Sequence, residues 1–259
     1  TYEVPAAGLN AKGVAAVNLL QLHPEEVVTA VIKHDPKQKT GYFFMTTKQG
    51  TVKKTKLEDY NNIRTSGLIS IKIDEGDELK WIRPTTGDDE VVISTSMGQA
   101  IRFHENDVRP MGRTARGVRG MRLRPNDVVV GMDIVEEDSN IFVISEKGYG
   151  KRTKISQFSP HKRGGVGIRS AVVNAKTGNL ISVKSLTDET PEVIIISNNG
   201  QTIRLGLKDI PSLGRTTQGV RIMRLADNDS VASIALVSKE QLEDAEITDE
   251  GSSDAPVAK

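Results

Sequence analysis

Short runs of apolar residues recur along this chain, and each is closed by a polar turn that ends in glycine. Val91-Val92-Ile93 precedes Ser96-Met97-Gly98, Phe142-Val143-Ile144 precedes Glu146-Lys147-Gly148, and Val193-Ile194-Ile195-Ile196 precedes Asn198-Asn199-Gly200. Lys48-Gln49-Gly50 closes a fourth run. These glycines lie 48, 50 and 52 residues apart. A second glycine, at 13, 67, 117, 167 and 219, recurs at spacings of 54, 50, 50 and 52. Two independent markers therefore keep one period of about 50 residues, which suits a propeller blade.

Short β-branched runs bounded by turns predict buried strands over 41–47, 90–96, 140–145 and 191–197. The marker glycine then sits in a hairpin turn, where a positive φ is easiest for glycine. A second strand follows over 51–55, 99–103, 149–153 and 201–205. After the other glycine a further strand is predicted, apolar at its fourth and sixth positions in every copy: Val17/Leu19, Ile71/Ile73, Met121/Leu123, Ala171/Val173 and Met223/Leu225. Between them stand Asn18, Lys72, Arg122, Val172 and Arg224, an alternation that marks one dry face. The first position (Val14, Leu68, Val118, Ile168, Val220) is apolar as well and predicts a bulge or two-sided burial. A fourth strand is predicted over 27–32, 79–82, 128–134, 180–185 and 231–237. The body shows no convincing helical periodicity. The expectation is an all-β, propeller-like fold of four complete blades plus partial terminal units, spanning 1–239. Residues 240–259 form a separate acidic tail, expected to be disordered because it is too poor in apolar groups to offset its ordering entropy.

Charge sharpens this division. The formal net charge of the whole chain is only +1. Residues 240–259 carry seven acids and one base, which leaves 34 basic and 27 acidic residues in the body. A basic body with an acidic tail suggests a polyanionic partner and a tail able to compete with it. There is no cysteine, so disulfides and thiolate metal sites are excluded. No apolar run approaches the length of a membrane span, and no signal peptide is visible. The chain opens on Thr1 rather than Met and reads as part of something longer.

The basic residues keep the register of the repeat. Four residues after each hairpin glycine stand Lys54, Arg102, Arg152 and Arg204. Four residues before the second glycine stand Arg113, Arg163 and Arg215, and two after it Arg119, Arg169 and Arg221. Arg116 and Lys162 add charge to the same stretches. The first two copies lack both sets, with Leu9 and Ile63, then Ala15 and Ile69, so the later blades should carry more of the positive surface. A cation at one repeat position returns at one place on each blade and makes a track. Phosphates recur along DNA, so a track suits a duplex better than a point ligand, and glycine beside arginine lets phosphate oxygens approach backbone N–H groups. Aromatic platforms for single strands are missing from the basic strands apart from Phe103 and Tyr149. His23, His34, His104 and His161 lack metal-ligand spacing. Asp227-Asn228-Asp229 reads as a polar turn. No nucleophile elbow, P-loop or dinucleotide fingerprint is present, so neither a catalytic site nor a cofactor is expected in this chain.

The stretches 112–123 (GRTARGVRGMRL), 214–221 (GRTTQGVR), 148–153 (GYGKRT) and 50–55 (GTVKKT) resemble the repeats in the C-terminal domain of the DNA gyrase A subunit. The resemblance covers nearly all of 1–239. It implies a β-pinwheel, a disc whose neighbouring blades exchange strands and bend DNA around a basic rim. It also implies a bacterial, cytoplasmic, nucleoid-associated enzyme that uses ATP and Mg²⁺ to supercoil DNA. The partners it implies are duplex DNA, the preceding part of the gyrase A subunit, and the gyrase B subunit. By the same resemblance the isolated domain is monomeric and makes no membrane contact. The family's signature box, Gln-basic-basic-Gly-Gly-basic-Gly, belongs to its first blade. Its best match here is 161–167 (HKRGGVG), a degenerate copy late in the register. By that register 1–22 aligns with the end of a second blade, so the first blade is expected upstream. A protein-interaction propeller remains an alternative, as does the C-terminal domain of the topoisomerase IV A subunit.

Repeated arginine and glycine without a major-groove helix predict recognition of the DNA backbone and its bendability rather than of bases. Unrelated linear duplexes of equal length should therefore compete with one another to within a small factor. One preferred site favoured by more than about a thousandfold contradicts this expectation.

Overall fold

A computed structural model describes residues 14, 18, 26, 28–32, 38, 40–61, 67–188, 190 and 192–239. The acidic tail at 240–259 and most of the N-terminal unit lie outside the described residues. The first repeat contributes β1 (Tyr42–Thr47), β2 (Thr51–Lys56) and β3 (Leu79–Thr85). The second contributes β4 (Glu90–Thr95), β5 (Gln99–His104), the two-residue β6 (Val118–Arg119) and β7 (Val129–Val135). The third contributes β8 (Asn140–Ser145), β9 (Tyr149–Lys154), β10 (Ile168–Arg169) and β11 (Leu180–Leu186). The fourth contributes β12 (Glu192–Ser197), β13 (Thr202–Gly206), β14 (Val220–Arg221) and β15 (Val231–Val237). A short 3-10 turn closes each hairpin, as at Glu105–Asp107 and Ile155–Gln157. These turns are too brief to leave a helical period in the sequence.

No repeat completes its own sheet. The strand orders are β3-β1-β2-β6, β7-β4-β5-β10, β11-β8-β9-β14 and β15-β12-β13. Each long return strand (β3, β7, β11, β15) pairs with the first strand of its own hairpin. Each two-residue strand instead crosses back to the hairpin of the preceding repeat. Val118 lies opposite Val52, Ile168 opposite Ala100, and Val220 opposite Gly150. Such a strand occupies the free edge of the second hairpin strand and satisfies its backbone groups. Among the described residues β13 receives no such partner. The return strands of successive sheets pack together, β7 lying against both β3 and β11. They form the inner side, and the borrowed strands form the outer edge.

The third strand is shorter than the alternation predicts, for a specific reason. After two paired residues the chain leaves the ladder, because two successive N–H groups converge on one carbonyl. Gly120 and Met121 both donate to Gly50 O, Ser170 and Ala171 to Gly98 O, and Ile222 and Met223 to Gly148 O. The apolar fourth position then enters the layer between two sheets. Met121 packs with Phe44, Val52, Val91, Ile93 and Phe103, and Ala171 and Met223 occupy the same place in the next two layers. Phe44 faces one layer while Phe43 and Met45 face another. A sheet buried on both faces requires continuous apolar runs, which is what the sequence displays. The predicted strands over 90–96, 140–145 and 231–237 are found to within a residue, whereas positions 28–32, where another is predicted, are described without one.

The hairpin glycine serves the next repeat as much as its own turn. Gly148 has φ +74, and a Cβ there would lie 2.4 Å from Met223 O. Gly200, at φ +85, has nothing within 4 Å of the same position. Alanine at 200 should thus meet only the left-handed penalty, about 1–2 kcal/mol. Alanine at 148 should add displacement of the following repeat and reach roughly 3 kcal/mol or more. Thermal melts of the two variants should differ by several degrees, and equal melting temperatures would contradict this account of the crossing.

Candidate nucleic-acid interface

The cations four residues after the hairpin glycines do not form an outward track. Lys54 is 2% exposed, its Nζ 3.3 Å from the buried Glu105 carboxylate and 3.1 Å from Asn106 Oδ1. Arg102 holds Glu90 and donates to Ile155 O and Phe158 O, both at 3.2 Å. Arg152 Nε donates to Ile210 O at 2.8 Å. Each side chain thus reaches across to the 3-10 turn of the following repeat. The backbone at the same residues binds that repeat too, Met111 N donating to Lys54 O, His161 N to Arg102 O and Leu213 N to Arg152 O. Arg204, on a strand that receives no borrowed partner among the described residues, is 58% exposed and pairs with Glu192. The expectation of a phosphate track is therefore corrected for Lys54, Arg102 and Arg152, which face the adjoining repeat, while Arg204 remains on the surface. The repeat demands a cation there because carbonyl and carboxylate oxygens of the adjoining unit need donors.

The second set of cations behaves differently. Arg116, Arg119, Lys162, Arg169 and Arg221 are exposed, and Arg113, Arg163 and Arg215 are half-buried. Arg119, Arg169 and Arg221 end β6, β10 and β14, the others stand on the loops that lead into these strands, and successive loops touch one another. Lys72 N donates to Ala115 O at 3.1 Å, Arg122 N to Gly165 O at 2.8 Å, and Val172 N to Thr217 O at 3.1 Å. In every case the donor lies five residues after one repeat's second glycine and the acceptor two before the next. Side chains reinforce the chain of loops. Arg163 Nη1 donates to Arg119 O at 2.9 Å, and Arg215 Nη1 to Arg169 O at 2.8 Å. The half-buried arginines therefore tie loop to loop, and the exposed ones project from the resulting belt.

Within the belt Arg119 and Arg169 are exposed and form no ion pair among the described residues. Arg116 pairs with Asp74 while 65% exposed, and Lys162 pairs with Asp107 while 89% exposed. Exposed pairs of this kind hold their cations weakly and release them to a stronger anion. Arg221 is steered by Tyr149, its Nη2 3.1 Å from the phenol oxygen and its guanidinium 5.5 Å from the ring centroid. Arg122 and Arg224 are also exposed on the belt and were missed as site residues. Their place between two apolar positions in the sequence pattern was the signal, since it turns them to the wet side. Arg116, Arg119 and Arg122 line, with Gln49 and Thr51, an open groove of about 610 Å³. Among the described residues no group of three or more His, Asp or Glu could hold a metal ion, and no helix is long and apolar enough to cross a membrane.

The family model for the DNA gyrase C-terminal domain, a β-propeller, matches residues 1–35, 41–86, 89–136, 139–186 and 191–238. Each match from residue 41 onward covers one hairpin through its return strand. The DNA gyrase A subunit of Staphylococcus aureus (strain NCTC 8325 / PS 47) is 39% identical over 254 residues, covering 97% of this chain and 28% of that protein. The chain thus spans little more than a quarter of the length of the curated relatives it matches. A solved DNA gyrase A C-terminal domain superposes with a TM-score of 0.78 at 27% identity, covering 87% of this chain and 75% of that one. The C-terminal domain of a DNA topoisomerase IV superposes at 0.82 with 24% identity, covering 92% and 75%, a likeness of fold alone.

The inward column yields a prediction about stability. Replacing Lys54 by Met removes the cation from the buried Glu105 carboxylate, which keeps only its bonds from Thr85 Oγ1, Gly87 N and Asp89 N, and should cost about 3–5 kcal/mol. Arg152→Met removes a charge-assisted bond and should cost about 1.5–3 kcal/mol. Denaturant titration measures both losses. In contrast, Arg102→Met should leave the salt dependence of duplex binding unchanged, and a shallower slope in that variant contradicts the inward assignment.

Proposed function

The chain belongs to the family of DNA gyrase C-terminal β-propeller domains, and from that premise we propose that it binds duplex DNA along the belt of linked loops and bends it over the outer edge of the sheets. The observation that carries this reading is the backbone contact between successive loops. It sets Arg116 and Arg119, then Lys162 and Arg169, then Arg221 in one continuous series. Each step of the series advances by one repeat, so a duplex that neutralises every loop has to follow the curvature of the array. Long flexible cations on a rigid backbone suit phosphate oxygens, and the helical elements named among the described residues are only short 3-10 turns, too brief to enter a major groove. Affinity then comes largely from counterion release, and sequence preference from the ease of bending.

In the complete enzyme this domain supports ATP-dependent negative supercoiling in the bacterial cytoplasm, at the nucleoid. Its partners there are the gyrase B subunit, which is a separate chain, and the preceding part of its own A subunit. ATP and Mg²⁺ act in those other parts. The domain by itself is a monomer. A topoisomerase IV role is the weaker alternative, because the likeness to that domain is one of fold while the family model and the 39% identical relative are both gyrase.

The test is a variant with Gln at Arg116, Arg119, Lys162, Arg169 and Arg221. Removal of each phosphate contact should reduce the magnitude of d log K/d log[salt] by about 0.9 for B-form DNA. Folding should be preserved, since these side chains are exposed. A folded variant with the wild-type slope would overturn the assignment.

A further inference from the structure

Three residues after the hairpin glycines the sequence alternates between two kinds of side chain: Lys53, Ile101, Lys151 and Ile203. Both lysines are fully buried. Lys151 Nζ donates to Gly214 O at 2.6 Å, Arg215 O at 2.8 Å and Thr217 Oγ1 at 3.2 Å. Lys53 Nζ donates to Ser70 O at 2.6 Å and to Arg113 O. In both places the ammonium lies beneath the belt loop of the following repeat and holds the carbonyl of that loop's arginine. The two loops so held are 112–117 (GRTARG) and 214–219 (GRTTQG). The intervening loop rests on Ile101 and has a different sequence, 163–167 (RGGVG), with Gly165 against the isoleucine.

We propose that Lys53 and Lys151 are positioning residues for duplex binding: their buried ammonium groups fix the backbones of the 112–117 and 214–219 loops from below, so that Arg113, Arg116 and Arg215 stand in register, while neither lysine touches DNA. The inference rests on the DNA-binding proposal above. Its chemical basis is a count of hydrogens. Three acceptors surround Lys151 Nζ, and an ammonium has three N–H donors, whereas a neutral amine has two and turns a lone pair toward an oxygen.

Burial pulls both lysines down to about 8 from 10.5. Asp59 opposes that shift at Lys53 and Arg113 adds to it, while Arg215 adds to it at Lys151. Tyr60, which also lies near Arg113 and Asp59, has its phenol raised by burial. The sign follows from the lowered values. Between about 8 and 10.5 the folded chain binds fewer protons than the unfolded one, so these two groups make folding stability rise with pH. Over the same window the 214–219 loop loses a donor, and the two bonds that Lys53 donates lose their charge assistance. Affinity and stability should therefore move in opposite directions.

The experiment measures affinity for a linear duplex at fixed ionic strength from pH 7 to 9.5, beside thermal melts, for the wild-type chain and for Lys53→Met/Lys151→Met. The wild type should weaken by about fivefold for each loop across that range without a fall in melting temperature. The double variant should bind more weakly at pH 7 and show a flat profile. A flat wild-type profile, or an unaltered profile in a folded double variant, overturns the inference. Should the double variant not fold, the wild-type profile still decides. Loss of salt-dependent duplex binding by the wild type itself would instead overturn the DNA-binding proposal.

Discussion

The constraint on which the structure depends is the unfinished edge of each hairpin. The second strand of a hairpin exposes a row of backbone groups, and the chain meets that demand with two residues from the following repeat. Val118, Ile168 and Val220 supply this edge to β2, β5 and β9. The carbonyls of Gly50, Gly98 and Gly148 then each take two further donors from the same repeat. An unpaired buried backbone group costs about as much as a lost hydrogen bond, so spacing, register and loop position all follow from this exchange. It also fixes the belt, because the residues that cross back are the ones flanked by arginines. The protein is in this sense a one-dimensional array of units, each stabilised by its neighbour.

Two kinds of cation in this fold have the same sequence signature and opposite roles. Lys54, Arg102 and Arg152 recur as regularly as Arg119, Arg169 and Arg221. The first group points between repeats and satisfies oxygens of the next 3-10 turn. The second projects outward from loops whose backbones are already satisfied. Periodicity alone does not separate them, since both structural and binding positions are locked to the repeat. The distinction lies in long-range contacts, such as Arg152 with Ile210 and Lys54 with Glu105.

Much of the architecture was legible in the sequence. The hairpins, the return strands and the period of about 50 residues rest on apolar runs and glycines, and β8 and β15 are found with the predicted bounds. The loop cations also stand where the glycine register places them, and the first repeat lacks them as the sequence indicates, with Ile69 exposed in the place of an arginine. What the sequence concealed was the destination of the third strand. Its apolar fourth and sixth positions suggested six paired residues, whereas Met121 and Leu123 reach the core from extended chain outside any ladder. Lys53 and Lys151 were likewise hidden, since a lysine in a strand reads as exposed until its carbonyl acceptors are seen.

The reading proposed for this domain places duplex DNA on the belt of linked loops rather than on the edge of β13. Arginine-selective chemical modification, read by mass spectrometry with and without a linear duplex, tests it residue by residue. Arg116, Arg119, Arg169 and Arg221 should be modified in the free chain and protected together by DNA, while Arg204, also exposed, on the edge strand β13, should react alike in both. Protection of Arg204 with continued modification of the belt arginines would contradict the account.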